Sequence, residues 1–515
     1  MNTGKSLWPV YGLLSATLLL TGCFNEPQDE SVSASEGRIK VAHLLPPRSG
    51  LTPLSDDAFK LSRWSTAETL VVLNSASDAQ PALATSWEQI NDTTWRFELR
   101  PNVKFHDNTD LTAQSVVNAL SVAASAKPKP RILDGITLTA KVDGDNAVLI
   151  TTEKRDPLLP QRLSSPQLAI LSLNAYKENG VVNPVNAGTG PFILRSVNGT
   201  SSAALDRFDG YWGEKAKASG IDASFVPDGA ARAAALRTGT ADIIEAIPVS
   251  QAPLLDQSLV HEVPMPRTNT LYLNTAQGVM KDPAMRAAVR DVINRQQIVD
   301  NVYEKRADVA QGLLGPALPW AAPLRKPVTN PVAAGKPDGA TITLATFSDR
   351  AELPEVAVYL AQQLIAAGFT VKQVVREYSQ IEADALAGKF DAFILSRATV
   401  LDSGDPVAYM YSDFACEGSF NISQLCRPEI DAALKKARET PAGETRRQAI
   451  MDAENMILAS DAAIPILHER VIQGESAVVK NALRDPRERT LIDSQTQLVA
   501  ANILLLRSKT GVIDQ

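Results

Sequence analysis

The chain has little of several residue types that carry chemistry or hold small folds together. Its 515 residues include only three cysteines, and aromatic residues make up 5%. The four histidines lie far apart, and none fits the spacing of a metal-ligand motif: His43, His106, His261 and His468. Basic residues are not in excess, since 51 Lys and Arg stand against 58 Asp and Glu. This balance argues against a nucleic-acid-binding protein, and the length favours several domains with a large core.

Long apolar runs are also scarce, and the clearest one lies at the N-terminus. Lys5 is the only charge before Glu26, and residues Leu7–Leu20 are mostly apolar. The run is shorter than the ~20 residues that a membrane-spanning helix needs. A charged start, an apolar stretch and small residues before Cys23 predict an export signal over residues 1–22.

The end of this signal, Leu20-Thr21-Gly22-Cys23, resembles the lipobox of bacterial lipoproteins. The resemblance implies cleavage before Cys23, whose thiol and new amino terminus then carry lipid. The alternative is an ordinary secreted protein with a chance cysteine. Residues 23–37 are polar and rich in Ser, Glu and Asp, which predicts a flexible tether.

The other two cysteines are Cys416 and Cys426. Export places them in an oxidising compartment, which favours a disulfide between them. Two free thiols or half of a metal site are the alternatives. No further cysteine or nearby histidine completes a metal site, so we predict a disulfide and no metal.

Strand and helix patterns alternate along the chain. Residues 94–99 alternate apolar and polar side chains as a half-buried strand does, and Thr112 precedes an apolar-periodic helix. One pattern occurs twice: a helix end, a glycine, an aspartate and a buried strand, at 235–244 and at 385–395. These alternations predict an α/β protein with mixed sheets.

Ordered blocks along the mature chain resemble the extracellular solute-binding proteins of the dipeptide, oligopeptide and nickel class. These proteins serve ATP-binding-cassette (ABC) importers. The blocks are Pro81–Trp87, Thr94–Asp107, Gly188–Phe192, Tyr211–Gly213, Val226–Asp228, Leu273–Thr275, Arg286–Val289 and Asp402–Pro406. The glycines of Gly188–Phe192 predict a tight backbone turn rather than a phosphate site, because the chain around them lacks a phosphate-binding motif.

The resemblance implies a two-lobed periplasmic-binding-protein-like fold of type II, with an extra subdomain in the first lobe. We expect lobe 1 at residues 38–270 and 476–515, with the subdomain at about 61–186, and lobe 2 at 271–475. The crossovers are expected near 270–275 and 470–476. The expected function is capture of a small solute, first of all a di- or oligopeptide, and its delivery to a membrane permease. A metal-chelate (nickel or metallophore) binding protein is the alternative.

Further expectations concern partners and chemistry. We expect a monomer, anchored by lipid in the periplasm or another extracytoplasmic space, that binds no nucleic acid and no cofactor. The chain contains no nucleophile elbow, no zinc-protease motif and no Walker sequence, so we predict no enzymatic activity. A periplasmic hydrolase is a distant alternative.

Asp402 is the sharpest ligand-binding candidate. In peptide-binding relatives, the first aspartate of a D-x-x-[DE]-P segment pairs with the ligand's α-amino group, and Asp402 holds that place. Asp405 is the better candidate for capping the next helix. Arg397 could bind a ligand carboxylate or form an inter-lobe or surface ion pair, and both interpretations stay open. Aromatic candidates, each also a candidate for core packing, are Trp64, Tyr378 and Tyr411.

Overall fold

The computed structural model describes residues 37–400 and 402–499. The predicted signal, tether and lipidated Cys23 lie outside these residues. The strands are β1 Arg38–His43, β2 Val71–Leu73, β3 Ala79–Pro81, β4 Ala84–Asn91, β5 Thr94–Leu99, β6 Leu138–Val142, β7 Ala147–Thr152, β8 Phe192–Asn198, β9 Ser202–Arg207, β10 Gly220–Phe225, β11 Ile243–Ile244, β12 Val260–Leu273, β13 Ala307–Val309, β14 Thr341–Phe347, β15 Thr370–Arg376, β16 Ala392–Ala398, β17 Ala463–Glu475, β18 Val479–Lys480 and β19 Gln497–Leu498.

Helices alternate with these strands through much of the chain. They are α1 Ala58–Arg63, α2 Ala113–Ser125, α3 Leu159–Arg162, α4 Gly229–Thr238, α5 Pro283–Val292, α6 Arg295–Val302, α7 Ala321–Leu324, α8 Glu352–Ala366, α9 Tyr378–Leu386, α10 Val407–Phe414, α11 Pro428–Glu439 and α12 Glu444–Ala459. Short 3-10 turns occupy Arg131–Leu133, Pro166–Leu168, Leu173–Ala175, Ala252–Leu254, Gln257–Leu259 and Val279–Lys281. Among the described residues, no helix has the length and apolar character to cross a membrane.

The largest sheet runs β15-β14-β16-β12-β17-β11-β1-β10-β9-β8, with β13 added on β17. It is mixed: β1 is parallel to β10 and β11, β14 is parallel to β15 and β16, and β12 and β17 are antiparallel to each other. The α/β class with mixed sheets is therefore confirmed.

The long strands β12 and β17 connect two halves of this sheet. β12 pairs with β16 from Arg267 onwards, whereas β17 pairs with β11 at Glu475 and Gly474. A break in the β12–β17 register falls between Pro264 and Thr268. The lobe boundaries predicted above stay predictions. The break lies just before the first predicted crossover, which was expected near 270–275.

The repeated sequence pattern has the same structure in both halves. Helix α4 ends at Gly239 in a left-handed conformation, and Gly388 does the same after α9. The next aspartate in each repeat then accepts a backbone N–H from the neighbouring parallel strand. Asp242 accepts from Lys40, and Asp391 from Thr343, both at 2.8 Å. Each aspartate thus fixes the start of a buried strand beside its partner.

A separate four-stranded sheet, β4-β5-β7-β6, packs with α2 around its own apolar cluster, which includes Phe97, Val116 and Leu133. Thr112 caps α2 as predicted, since its hydroxyl accepts the Ser115 N–H at 3.1 Å. The Gly188 backbone passes so close to Thr66 that a Cβ would stand 1.9 Å from the Thr66 carbonyl oxygen. Glycine is required there by backbone contact.

Candidate ligand cavity

A cavity of about 150 Å³ lies where the two halves of the large sheet meet. β12 contributes its central residues, and the end of the neighbouring strand β16 and the following loop contribute the adjoining wall. The C-terminal segment after β17 and α1 complete it. Its lining residues are Phe59, Met265, Pro266, Arg267, Ala398, Val400, Asp402, Pro486, Arg487, Glu488 and Arg489. A smaller cavity of about 80 Å³ shares Glu488 and includes Arg63 and Glu245.

Asp402 lies on this wall, in the loop after β16, and is 5% exposed. Its carboxylate accepts two hydrogen bonds from Arg131, from Nε at 2.9 Å and from Nη2 at 2.8 Å. These hydrogen bonds raise the pKa of Arg131 above its usual range. Arg131 also lies 3.0 Å from the exposed carboxylate of Asp56. Asp402, the predicted ligand contact, is therefore already paired with Arg131 from the first half of the chain.

Arg397 does not line the cavity. Its guanidinium forms a two-point fork on Asp413 of α10, with N–O distances of 3.0 and 2.9 Å, and lies 4.7 Å from the centre of the Phe420 ring. The Tyr272 hydroxyl donates to the same carboxylate at 2.7 Å, and burial raises the pKa of Asp413. Arg397 does form an ion pair, but the pair is neither inter-lobe nor on the surface, because its partner Asp413 is fully buried within the same half of the molecule.

The three aromatic candidates contact protein side chains rather than this cavity. Trp64 has no exposed surface, and its Nε1 donates to His43 Nε2 at 2.8 Å. Tyr378 packs edge-on against Phe347, and burial raises its pKa to about 12. The Arg438 guanidinium lies 4.8 Å from the centre of the Tyr411 ring. Of the five predicted ligand contacts, the cavity includes Asp402 alone.

Two other predictions concern the loop around Asp402. Asp405 accepts the Val407 N–H at 3.0 Å, but it stands one residue before the N-cap of α10, which is Pro406 and has no side-chain cap. It also receives a two-point ion pair from Arg446. Cys416 and Cys426 form a disulfide, which confirms that prediction. No cluster of metal-ligating side chains occurs among the described residues.

Sequence reasoning missed the arginines of the cavity: Arg267 on β12, and Arg487 and Arg489 after β17. Burial lowers the pKa of both Arg267 and Arg489 to about 10, and a neighbouring arginine adds to the effect in each case. The charged run Arg484-Asp485-Pro486-Arg487-Glu488-Arg489 was a visible signal. Charged runs usually lie on the solvated surface, so the sequence gives no reason to place this run in a cavity. In the fold, its last four residues line the cavity.

Comparisons with known proteins extend over nearly the whole described chain. The family model described as bacterial extracellular solute-binding proteins, family 5 Middle, matches residues 78–421. The nickel-binding protein NikA of Staphylococcus aureus (strain NCTC 8325 / PS 47) is 25% identical, covering 94% of this chain and 98% of its own. The dipeptide-binding protein of Escherichia coli (strain K12) is 25% identical, covering 79% and 84% respectively. The crystal structure of a nickel ABC transporter from Bacillus halodurans superposes with a TM-score of 0.77 at 25% identity, covering 90% of this chain and 100% of that one.

Proposed function

Because the chain belongs to the bacterial extracellular solute-binding proteins of family 5, we propose that it captures a di- or oligopeptide between two closing lobes. The family resemblance and the periplasmic-binding-protein fold are both confirmed. The chain is the extracytoplasmic substrate-binding component of an ABC importer and not an enzyme. The identity of the solute and the attachment to the membrane are proposals.

The observation that carries the peptide proposal is the position of Asp402. Its buried carboxylate lies on the wall of a cavity lined from both halves of the molecule. A carboxylate in such a place forms a strong, charge-assisted hydrogen bond with an ammonium group. Closure of the two halves around a peptide would bring its α-amino group to this carboxylate and exclude water.

Arg131 must be taken into account in this proposal. A carboxylate has about four acceptor positions, and the Arg131 fork occupies two of them. An arriving ammonium therefore either shares Asp402 with Arg131 or displaces it towards Asp56. In both cases the amine binds a site whose charge is already balanced, so the rest of the ligand must contribute to affinity.

A metal chelate is the second candidate, and two observations favour it. A nickel-binding relative aligns over 94% of this chain, and the cavity lining includes three arginines. Guanidinium groups suit the carboxylates of a chelating molecule as well as those of a peptide. The two candidates differ in whether the bound species contains a metal ion.

Native mass spectrometry of the purified mature protein, followed by mild denaturation, tests the two candidates. Released masses that fit short peptides would support the peptide proposal. A single species with a nickel, cobalt or zinc isotope pattern would replace it with the chelate. If the protein is empty, titration with a panel of di- and oligopeptides decides, because no binding by any of these peptides would contradict the proposal.

Replacement of Asp402 tests the amine contact. We expect Asp402→Ala to weaken a bound peptide by roughly 2–4 kcal/mol, because the ammonium loses its buried partner. Asp56→Asn is the matched control: it removes the other partner of Arg131 while leaving the cavity carboxylate in place. Unchanged peptide affinity in Asp402→Ala, or an equal loss in the control, would rule out the contact.

We also propose that lipid on Cys23 anchors the chain to the outer face of a membrane, with residues 23–37 as the tether. The support is the sequence Leu20-Thr21-Gly22-Cys23 after the apolar run. Cys23→Ser should move the protein expressed in its host from the membrane fraction to the released fraction. A wild-type protein whose mass lacks acyl groups would contradict the anchor.

A further inference from the structure

The ion pair between Arg131 and Asp402 joins the two halves of the molecule. Residues 37–259 precede β12 and form the first half, and residues 274–462 lie between β12 and β17 and form the second. Arg131 opens a 3-10 turn of the first half, and Asp402 lies in the loop between β16 and α10 of the second. The fork from Arg131 to both carboxylate oxygens therefore holds the two halves together at the cavity.

Asp402 depends on a cationic partner. Its side chain is buried, and a buried carboxylate without a partner is costly. Arg131 supplies that partner from inside the protein, at the carboxylate where the solute ammonium is proposed to bind. With the two halves together and no solute bound, Asp402 is therefore already compensated.

Arg131 depends much less on Asp402. Its side chain is 45% exposed, and its Nη1 lies 3.0 Å from a carboxylate oxygen of Asp56, whose side chain is 69% exposed. A guanidinium that is so close to water and to a second carboxylate can leave the first one at little cost. Asp402 needs a cation, whereas Arg131 has an alternative partner, so the pair is suited to exchange its cation.

The loop that carries Asp402 has a second support, which does not use its carboxylate. Arg489 donates from Nη2 to the backbone carbonyl of Asp402 and from Nη1 to the Ser164 hydroxyl of the first half at 3.0 Å. These hydrogen bonds hold the backbone of the loop at the cavity wall. The carboxylate can therefore change its partner while the loop stays in place.

We propose that Arg131 is an internal competitor of the solute. Without solute, Arg131 occupies the carboxylate of Asp402 and holds the two halves together; the ammonium of the solute then replaces it, and Arg131 moves to Asp56. Each molecule in which Arg131 occupies Asp402 is unavailable to the amine, which lowers the apparent affinity. A solute without a cationic group cannot replace Arg131, because Asp402 would be left buried and unpaired. Arg131 thereby selects for solutes that have a free amine.

This inference rests on the proposed amine contact and deepens it, and calorimetric titration tests the exchange. The mature protein is freed of solute by unfolding and refolding. The probes are L-alanyl-L-alanine and tri-L-alanine, each beside its N-acetyl form. Arg131→Gln should bind the free-amine peptides at least fivefold more tightly than wild type, because the competitor is gone, and should gain nothing for the acetylated forms. Equal or weaker binding of the free-amine peptides would overturn the competition.

Arg447→Gln is the matched control, because Arg447 also forms an ion pair between the halves. It donates from α12 to Asp78 of the first half at 2.7 Å and to the Ala76 carbonyl at 2.9 Å. The variant loses the same charge from a contact that leaves Asp402 untouched, so peptide affinity should stay within twofold of wild type. A gain as large as that of Arg131→Gln would mean that weakening any contact between the halves promotes binding, and would overturn the competition.

The move of Arg131 to Asp56 is tested separately. In Asp56→Asn the displaced guanidinium lacks its second carboxylate, so the free-amine peptides should bind about threefold more weakly than to wild type. In the double variant Arg131→Gln with Asp56→Asn, this loss should disappear, because the group that uses Asp56 is absent. A loss that persists without Arg131 would overturn this step.

Small-angle X-ray scattering of the solute-free proteins tests the closing role of Arg131 without any peptide. Arg131→Gln should have a larger radius of gyration than wild type, because the two halves separate. Arg237→Gln makes the same charge change at an exposed position of α4 and should match wild type. Equal radii in wild type and Arg131→Gln would overturn the closing role.

These results distinguish failure of this inference from failure of the proposed function. Weaker peptide binding in Asp402→Ala without a gain in Arg131→Gln would keep the amine contact and overturn the competition. If no peptide binds to any variant, the amine contact and the exchange are both contradicted, and the scattering alone decides whether Arg131 closes the two halves. A gain in Arg131→Gln that is confined to free-amine peptides supports both proposals.

Discussion

Arg397 and the arginines of the segment 485–489 differ in the groups that accept their hydrogen bonds. Arg397 meets Asp413, the Tyr272 hydroxyl joins the same carboxylate, and a disulfide closes the chain shortly afterwards. Arg487 and Arg489 meet a serine hydroxyl and backbone carbonyls. In the first region, a protein carboxylate balances the charge of the arginine. The second forms no ion pair through Arg487 or Arg489 among the described residues, although Asp485 lies close enough to favour the charge of both.

Neutral acceptors by themselves do not mark an arginine as ligand-binding, because Arg232 and Arg286 are buried and donate to backbone carbonyls without lining the larger cavity. An arginine whose fork already holds a carboxylate contributes its charge to the fold. Arg397 therefore stabilises one half of the molecule, whereas Arg489 lines the cavity and donates to neutral acceptors.

Removal of the counter-ion of Arg397 should have the largest effect on stability. We expect Asp413→Asn to lower the free energy of unfolding by about 3–5 kcal/mol, because it leaves a buried guanidinium without a charge partner. Urea unfolding followed by circular dichroism measures the loss. Asp78→Asn, which breaks the exposed ion pair with Arg447, is the control and should lose far less. Equal losses would mean that the Arg397 pair contributes no more than a surface contact.

Removal of the disulfide should weaken the same region somewhat less. Cys416→Ser with Cys426→Ser is expected to cost about 3 kcal/mol, because the unfolded chain regains the freedom that the cross-link removes. Urea unfolding of wild type with and without reductant provides a second route to this value. A loss in the double variant that reductant does not reproduce in wild type would point to packing of the sulfur atoms.

Neutralisation of Arg489 should affect stability least, in contrast to Asp413→Asn. We expect Arg489→Gln to change the free energy of unfolding by less than about 1 kcal/mol. Three hydrogen bonds to neutral acceptors are weakened, but a buried charge that forms no ion pair is also removed. The measurement is urea unfolding without added solute. A loss as large as that of Asp413→Asn would assign Arg489 to the fold.

Local sequence patterns predicted several elements well. The alternation at Thr94–Leu99 gave a strand with those bounds, and Thr112 begins α2 through its hydroxyl. The helix–glycine–aspartate–strand repeat was also correct in both halves. These features depend on residues a few positions apart, where turn geometry and side-chain period act directly. The family resemblance extended the prediction to the whole fold.

The chain's own sequence thus determined its α/β class, its family and the capped and glycine-terminated helices, because each depends on neighbours in sequence or on ordered motifs. Only the tertiary structure decided the charge partners. Arg131 reaches Asp402 across 271 positions, and Arg489 reaches Ser164 across 325. Whether a buried charge is balanced depends on which distant groups the fold brings within about 3 Å of it. A charged run such as 484–489 therefore becomes a candidate binding surface only when folding turns it towards a cavity.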